Sequence, residues 1–118
     1  MKKLLLAALL AIGLALPAAA QRSAVYDVTG TNPDGTEYSG TMMLQQVGLS
    51  SFRIVWSIGA DNIEGVGMVS GLTLATAFTL ANNQTGMGIY EIKPGDVLEG
   101  VWTVVGAFAA GRETARPR

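Results

Sequence analysis

Two residue types that most often carry enzyme chemistry are missing from this sequence, which contains no histidine and no cysteine. Without histidine the commonest general base is absent, and no serine can be activated by a neighbouring imidazole. Without cysteine there is neither a thiol nucleophile nor a disulfide. Structural zinc is not expected either, because its sites are built from these two side chains. We therefore predict a protein with no catalytic activity, no cofactor and no metal.

Charge and helical patterns are also scarce. Charged residues make up 14% of the chain, and setting aside Lys2 and Lys3 leaves 6 basic against 9 acidic residues, a net charge of −3. A field this weak argues against nucleic acid or an anionic membrane surface as the main partner. No stretch beyond the first twenty residues combines helical periodicity with capping residues. The sequence thus points to an all-β domain.

The first twenty residues have the features of a secretory signal peptide. Two lysines form a positive head, an apolar run follows from Leu4 to Leu16, and three alanines end at Ala20. The apolar run is shorter than the about 20 residues that a membrane-spanning helix needs. We predict cleavage after Ala20 and export to the periplasm or beyond. Residues 21–118 are then a single domain that is not embedded in a membrane.

The remainder of the chain consists of short strands separated by turn signals. The clearest strand is Ser51–Ile58, in which large apolar residues alternate with smaller or polar ones. Asn32-Pro33-Asp34-Gly35 and Lys93-Pro94-Gly95-Asp96 are the strongest turns, because proline presets the backbone and glycine accepts a positive φ. The pattern predicts strands over 23–30, 37–47, 51–58, 63–69, 72–80, 86–92, 97–105 and 111–115.

The lengths of the connections predict the topology. Connections this short force neighbouring strands to be antiparallel, which gives a meander. An open sheet of this size would leave two unpaired edges, and closure removes them. We predict a small up-and-down β-barrel of about eight strands, in which the strand at Val25 pairs with the strand at Glu113. A two-sheet sandwich is the alternative.

A repeated pattern of strand glycines followed by large aromatics supports the barrel. Gly40 leads through a hairpin to Trp56, Gly65 to Phe78, and Gly88 to Trp102, at intervals of about 24 residues. Glycine permits the bends and close packing that a narrow barrel needs. We interpret these glycines as structural, together with the one in the last unit, Leu98–Thr103. In that unit Leu98, Gly100 and Trp102 should face inward, and Glu99, Val101 and Thr103 outward.

Acidic residues offer one catalytic alternative. Glu64 and Glu99 each precede a strand glycine, so they occupy equivalent positions in two hairpins. If a barrel brought them together, they would form an acid pair of the kind that glycosidases use. Outward strand positions are normally polar, and we favour two solvated side chains.

Aromatic residues are the remaining candidates for contacts with a ligand or partner: Trp56, Phe78, Tyr90 and Trp102. An eight-stranded barrel is wide enough either to be filled by side chains or to hold one small ligand. Aromatic rings at its mouth would suit an apolar ligand. Alternatively, these residues belong to a filled core, which would contain Met42, Leu44, Phe52, Ile54, Trp56, Leu72, Leu74, Phe78, Leu98 and Trp102.

The order of motifs resembles a family of small exported bacterial proteins, some of which carry the label fibronectin-binding protein. The shared order is Tyr-x-Gly, Trp, Gly-x-Gly, Leu-x-Gly-x-Trp-Thr and a late Gly-x-Glu. In this chain the matching segments are Tyr38–Gly40, Phe52–Trp56, Glu64–Met68, Gly88–Tyr90, Leu98–Thr103 and Gly111–Glu113. The resemblance implies an extracellular adhesion role and supplies no catalytic residues. The Leu-x-Gly-x-Trp pattern is also similar to lipocalin and avidin barrels, which bears on the fold alone.

These observations favour a secreted binding or interaction module that contacts an unknown protein or a small apolar ligand. Contact would be made through the barrel mouth or through an exposed strand edge. The first alternative is an inhibitor of an extracytoplasmic hydrolase, which would insert the loop Asn32–Gly35 or Asn82–Thr85 into the enzyme's cleft. The second is a carrier that holds a small apolar ligand in the barrel mouth.

Overall fold

A computed structural model describes residues 24–118, so the predicted signal peptide at 1–20 lies outside the described residues. No helix within 24–118 has the length and apolar character needed to cross a membrane. A short 3-10 turn at Pro94–Asp96 separates the sixth and seventh strands. The strands are β1 (Ala24–Thr31), β2 (Glu37–Gln46), β3 (Ser51–Ile58), β4 (Asp61–Ser70), β5 (Thr73–Thr79), β6 (Thr85–Ile92), β7 (Leu98–Val104) and β8 (Gly111–Pro117).

The strands form a closed antiparallel barrel in meander order. Each strand pairs with its neighbour in the sequence, and β1 pairs with β8 to complete the circle, with Gly30 opposite Glu113. The predicted barrel is therefore confirmed, and the sandwich alternative is wrong. Closure also pairs every strand of the described chain on both sides. An exposed strand edge, the second binding route that the sequence suggested, is thus not available there.

The two strongest turn signals produce the turns that they predict. The Asp34 carboxylate accepts the Thr36 N–H at 3.0 Å, and Gly35 has a φ of 90°. Gly95 has a φ of 76°, and the Asp96 N–H donates to the Lys93 carbonyl at 3.0 Å. The tight turn between β4 and β5 lies one residue later than predicted, at Gly71-Leu72.

Leu72 corrects the predicted core. Its place in this turn leaves the side chain 68% exposed, although the alternation of β5 had assigned it to the interior. The alternation does not extend to Leu72, because Leu72 belongs to the turn that precedes β5. Only residues within a strand point alternately to the two faces of the sheet.

The end of the barrel that carries the β2–β3, β4–β5 and β6–β7 connections is filled. Inward residues of six strands are almost completely buried there, and each contributes roughly 1.5–3 kcal/mol where a large apolar side chain is removed from water. They are Tyr26, Val28, Met42, Leu44, Phe52, Ile54, Leu74, Leu98 and Ala115. This packed core closes the barrel interior at one end and lies beneath the opposite end.

The glycine repeat corresponds to cross-strand pairs. Gly65 lies opposite Phe78, and Gly88 lies opposite Trp102. The third unit differs, since a side chain at Gly40 would meet Ile58 at 2.8 Å, whereas Trp56 lies opposite Met42. In β7 the faces are as predicted from Leu98 to Trp102, whereas Thr103, predicted to face outward, is half-buried. Leu98 is buried, Gly100 and Trp102 are half-buried, and Glu99 and Val101 are exposed.

Candidate functional site

The other end of the barrel is hollow. It contains a cavity of about 300 Å³ beneath the β1–β2, β3–β4, β5–β6 and β7–β8 connections, and we call this end the mouth. The cavity is lined mainly by apolar and aromatic side chains, with a few polar groups: Asn32, Tyr38, Trp56, Ile58, Asp61, Ile63, Phe78, Leu80, Tyr90, Trp102 and Glu113. The interior is therefore divided into a filled half and a hollow half.

Four aromatic rings form a continuous arc around the cavity. Trp56 and Phe78 pack edge to face with ring centroids 5.3 Å apart, and Phe78 contacts Trp102 in the same way at 6.0 Å. Tyr38 extends the arc, with its ring centroid 6.2 Å from that of Trp102. Edge-to-face contacts at these distances are the arrangement that aromatic side chains prefer, so the rings hold one another in place.

Glycines on neighbouring strands make room for these rings. A methyl group at Gly111 would lie 2.7 Å from Cε2 and 2.8 Å from Nε1 of Trp102. One at Gly100 would lie 2.7 Å from Cδ2 of Tyr90. Both distances are shorter than van der Waals contact, so no side chain fits between strand and ring. The glycines therefore allow large rings to approach the wall of a narrow barrel closely.

A buried carboxylate lies at the base of the arc. Glu113 on β8 is 5% exposed and accepts three hydrogen bonds. Its Oε1 accepts the Tyr38 hydroxyl at 2.7 Å, and its Oε2 accepts the Tyr90 hydroxyl at 2.6 Å and the Trp56 Nε1–H at 3.0 Å. A buried carboxylate is costly unless it is hydrogen-bonded, and these donors from β2, β3 and β6 meet that need.

The two phenols that reach Glu113 remain protonated under ordinary conditions. Burial raises the pKa of both Tyr38 and Tyr90, and the negative charge of Glu113 raises it further. Each hydroxyl is therefore a donor, and neither phenol supplies a base. Burial also raises the pKa of Tyr26 in the filled half, with a smaller effect from Asp96.

One polar atom of the arc has no partner. The Trp102 Nε1–H is buried and forms no hydrogen bond within residues 24–118. Trp102 opposes the rise in the pKa of Tyr38, as the smallest of the contributions to that pKa. A buried donor without an acceptor is uncommon in native proteins.

The structure brings together the four aromatic residues that the sequence singled out. Trp56, Phe78, Tyr90 and Trp102 come from four different strands and all line the cavity. Tyr38 and Glu113 appear in the shared motifs, but neither was predicted as a site residue. A signal for Glu113 was present, because it alternates with Gly111 and Ala115 on a strand whose inward face must be small or apolar. A carboxylate at such a position needs donors inside the barrel.

Glu64 and Glu99 are not brought together. Both side chains are exposed on the outer wall, and β5 and β6 lie between their strands. Glu64 is level with Thr79 near the mouth, whereas Glu99 is level with Glu91 near the filled end. The paired-acid hypothesis is therefore wrong. Residues 24–118 also contain no group of three or more acidic side chains that would hold a metal ion.

The fold is similar to designed barrels of known structure. A redesigned β-barrel has a TM-score of 0.75 and 16% sequence identity, over 86% of this chain and 94% of that chain. The redesigned barrel mFAP1, in a structure bound to DFHBI, has a TM-score of 0.70 and 19% identity, over 86% and 97%. No protein-family model and no curated protein matches the chain. These likenesses define the class of fold, a small closed β-barrel.

Proposed function

We propose that the protein is a binding module without catalytic activity that holds a small, mainly apolar ligand in the barrel mouth. The observation that carries this proposal is the aromatic cavity with the buried Glu113 at its base. Ligand sites are typically concave, mostly apolar, at least about 300 Å³ in volume and provided with a few placed polar groups. The cavity agrees with each of these criteria.

The division of the interior supports the same function. Eight strands enclose just enough space to be filled or to hold one small ligand, and here only one half is filled. The structure of mFAP1 bound to DFHBI shows that a similar barrel accommodates a small molecule. That comparison supports the ability of such a barrel to bind a small molecule, and it does not identify the ligand of this protein.

A titration with the neutral fluorescent probe N-phenylnaphthylamine tests the proposal. We expect saturable binding, with a rise in probe emission and a change in the emission of Trp56 and Trp102. Ile63→Phe, which places a larger side chain at the mouth, should weaken binding by about tenfold. Val66→Phe is the matched control, because Val66 lies on the same strand and is 57% exposed on the outer wall.

Absence of saturable binding to the wild-type protein would overturn the proposal. Equal loss of binding in Ile63→Phe and Val66→Phe would also contradict it, since the probe would then be bound outside the mouth. Thermal melts of both variants should accompany the titration, so that a loss of folding is not mistaken for a loss of the site.

A protein partner is a second candidate, favoured by the outer wall over β4–β6. Val66, Met68, Met87 and Ile89 project outward with exposed fractions of 48–60%. Exposed apolar patches of this kind often mark interaction surfaces. This candidate agrees with the proposed export and with the adhesion role that the family resemblance implies. Immobilised fibronectin should then retain the mature protein, and Met68→Lys should reduce retention while leaving probe binding in the mouth unchanged.

A further inference from the structure

The charge of the cavity carries an inference about the ligand, which rests on the proposed function. Two carboxylates line the cavity, Glu113 at its base and Asp61 at its rim, and no lysine or arginine is among the lining residues. The ion pairs of residues 24–118 join Lys93 to Glu91 and Arg118 to Asp27, both exposed, so Glu113 has no cationic partner. Its three donors are all neutral groups.

The surrounding rings suit a positive charge. A cation is attracted to an aromatic ring when it lies over the ring face, within about 6 Å of the ring centroid. Trp56, Phe78 and Trp102 all line the cavity, and neighbouring rings are inclined to one another by 62° and 66°. A cation in the cavity that lies over the face of one ring is therefore close to a neighbouring ring as well. Aromatic cages use grouped rings in this way to recognise quaternary ammonium groups.

We propose that the cavity selects organic cations, namely a quaternary or otherwise weakly hydrated ammonium group carried on a small apolar body. The ammonium would lie against the aromatic arc above Glu113. The apolar body would extend past Ile58 and Ile63 toward the opening of the cavity. A compact metal ion is not favoured, because hard cations need several oxygen ligands and the cavity wall is mostly apolar. The uncompensated carboxylate would then gain a partner upon binding.

Two probes of nearly equal shape test the inference on the purified protein. Phenyltrimethylammonium carries the charge, and tert-butylbenzene is its neutral isostere. Tryptophan fluorescence and calorimetry should give a Kd for the cation at least about tenfold lower than for the neutral probe. Added salt should weaken only the binding of the cation, because salt screens its attraction to the exposed Asp61.

Variants then show which carboxylate attracts the cation. Asp61→Asn should weaken the affinity for the cation severalfold and leave the affinity for the neutral probe unchanged. Glu64→Gln, on the same strand but outside the cavity, should change neither affinity. Glu113→Gln should give the largest loss for the cation, with circular dichroism as the check on folding. If that variant does not fold, the isosteric pair and Asp61→Asn decide the question.

The inference and the proposed function fail in different ways. Equal affinity for the two probes, or tighter binding of the neutral one, would overturn selection for cations. The proposed binding of a small ligand in the mouth would be unaffected. Selection for cations would also be overturned if Asp61→Asn and a folded Glu113→Gln both bind the cation with unchanged affinity. If neither probe binds and N-phenylnaphthylamine does not bind either, both proposals are wrong.

Discussion

At the scale of single residues, the mouth depends on pairs in which a ring covers a glycine. Trp102 lies against Gly111, and Tyr90 lies against Gly100. The rings occupy the space that a Cβ atom would need, and this space determines where the indole and phenol groups point. Of these two rings, Tyr90 donates one of the three hydrogen bonds that Glu113 accepts, so the contact with Gly100 helps to place that donor.

We expect Gly111→Ala to destabilise the protein by roughly 1–3 kcal/mol, because the added methyl group meets the Thr31 carbonyl and the Trp102 ring. Trp102 must also move, so tryptophan emission should change. Chemical denaturation gives the free energy of unfolding. Ser39→Ala on the exposed outer face of β2 should change it by less than about 0.5 kcal/mol. A Gly111→Ala variant as stable as wild type would contradict the close contact.

At the scale of strands, β8 contributes more than its length suggests. It closes the barrel by pairing with both β1 and β7, and it supplies the inward residues Gly111, Glu113 and Ala115. Without it, β1 and β7 would each present an unpaired edge, and the donors around Glu113 would lose their acceptor. The barrel and its cavity thus share this strand.

Deletion of Gly111–Arg118 should therefore abolish cooperative folding and produce aggregates, because two edges and the interior are exposed together. Size-exclusion chromatography and near-ultraviolet circular dichroism measure this outcome. Arg118→Ala is the control. It removes only the exposed ion pair with Asp27, which is worth at most about 1 kcal/mol. A monomeric truncated protein with wild-type near-ultraviolet signals would show that β8 is dispensable.

At the scale of the whole molecule, all three tyrosines of the chain are withdrawn from solvent, Tyr26 and Tyr90 almost completely and Tyr38 in part. Burial raises the pKa of Tyr26, Tyr38 and Tyr90 above the ordinary value of about 10. The unfolded chain therefore loses phenolic protons at a lower pH than the folded barrel. The stability linked to these groups is fully present below pH of about 10 and is lost as the pH rises above it.

Alkaline titration should accordingly unfold the barrel cooperatively, with phenolate absorbance appearing together with the loss of near-ultraviolet circular dichroism. Above pH of about 10, Tyr90 alone should reduce the free energy of unfolding by about 1.4 kcal/mol per pH unit. Tyr38, which is only half-buried, should add less, because solvent screens a partly exposed group. Tyr90→Phe should lessen the slope. Phenolate absorbance in a barrel that stays folded near pH 10 would contradict the prediction.

The sequence by itself determined the architecture. Alternation along Ser51–Ile58, the turns at Gly35 and Gly95, and the short connections depend on local backbone preferences, and these need no knowledge of distant residues. For the same reason the inward face of β7 was predicted correctly at Leu98, Gly100 and Trp102. Leu72 was predicted wrongly because the position of a tight turn depends on the pairing of two strands.

The tertiary structure decided how the interior is used. The stagger of eight strands around the barrel places Glu113 among donors from β2, β3 and β6, and no local pattern encodes that register. The same stagger separates Glu64 from Glu99 and leaves one half of the interior hollow. Whether inward residues fill space or surround it depends on which of them meet across the barrel, and only closure fixes that.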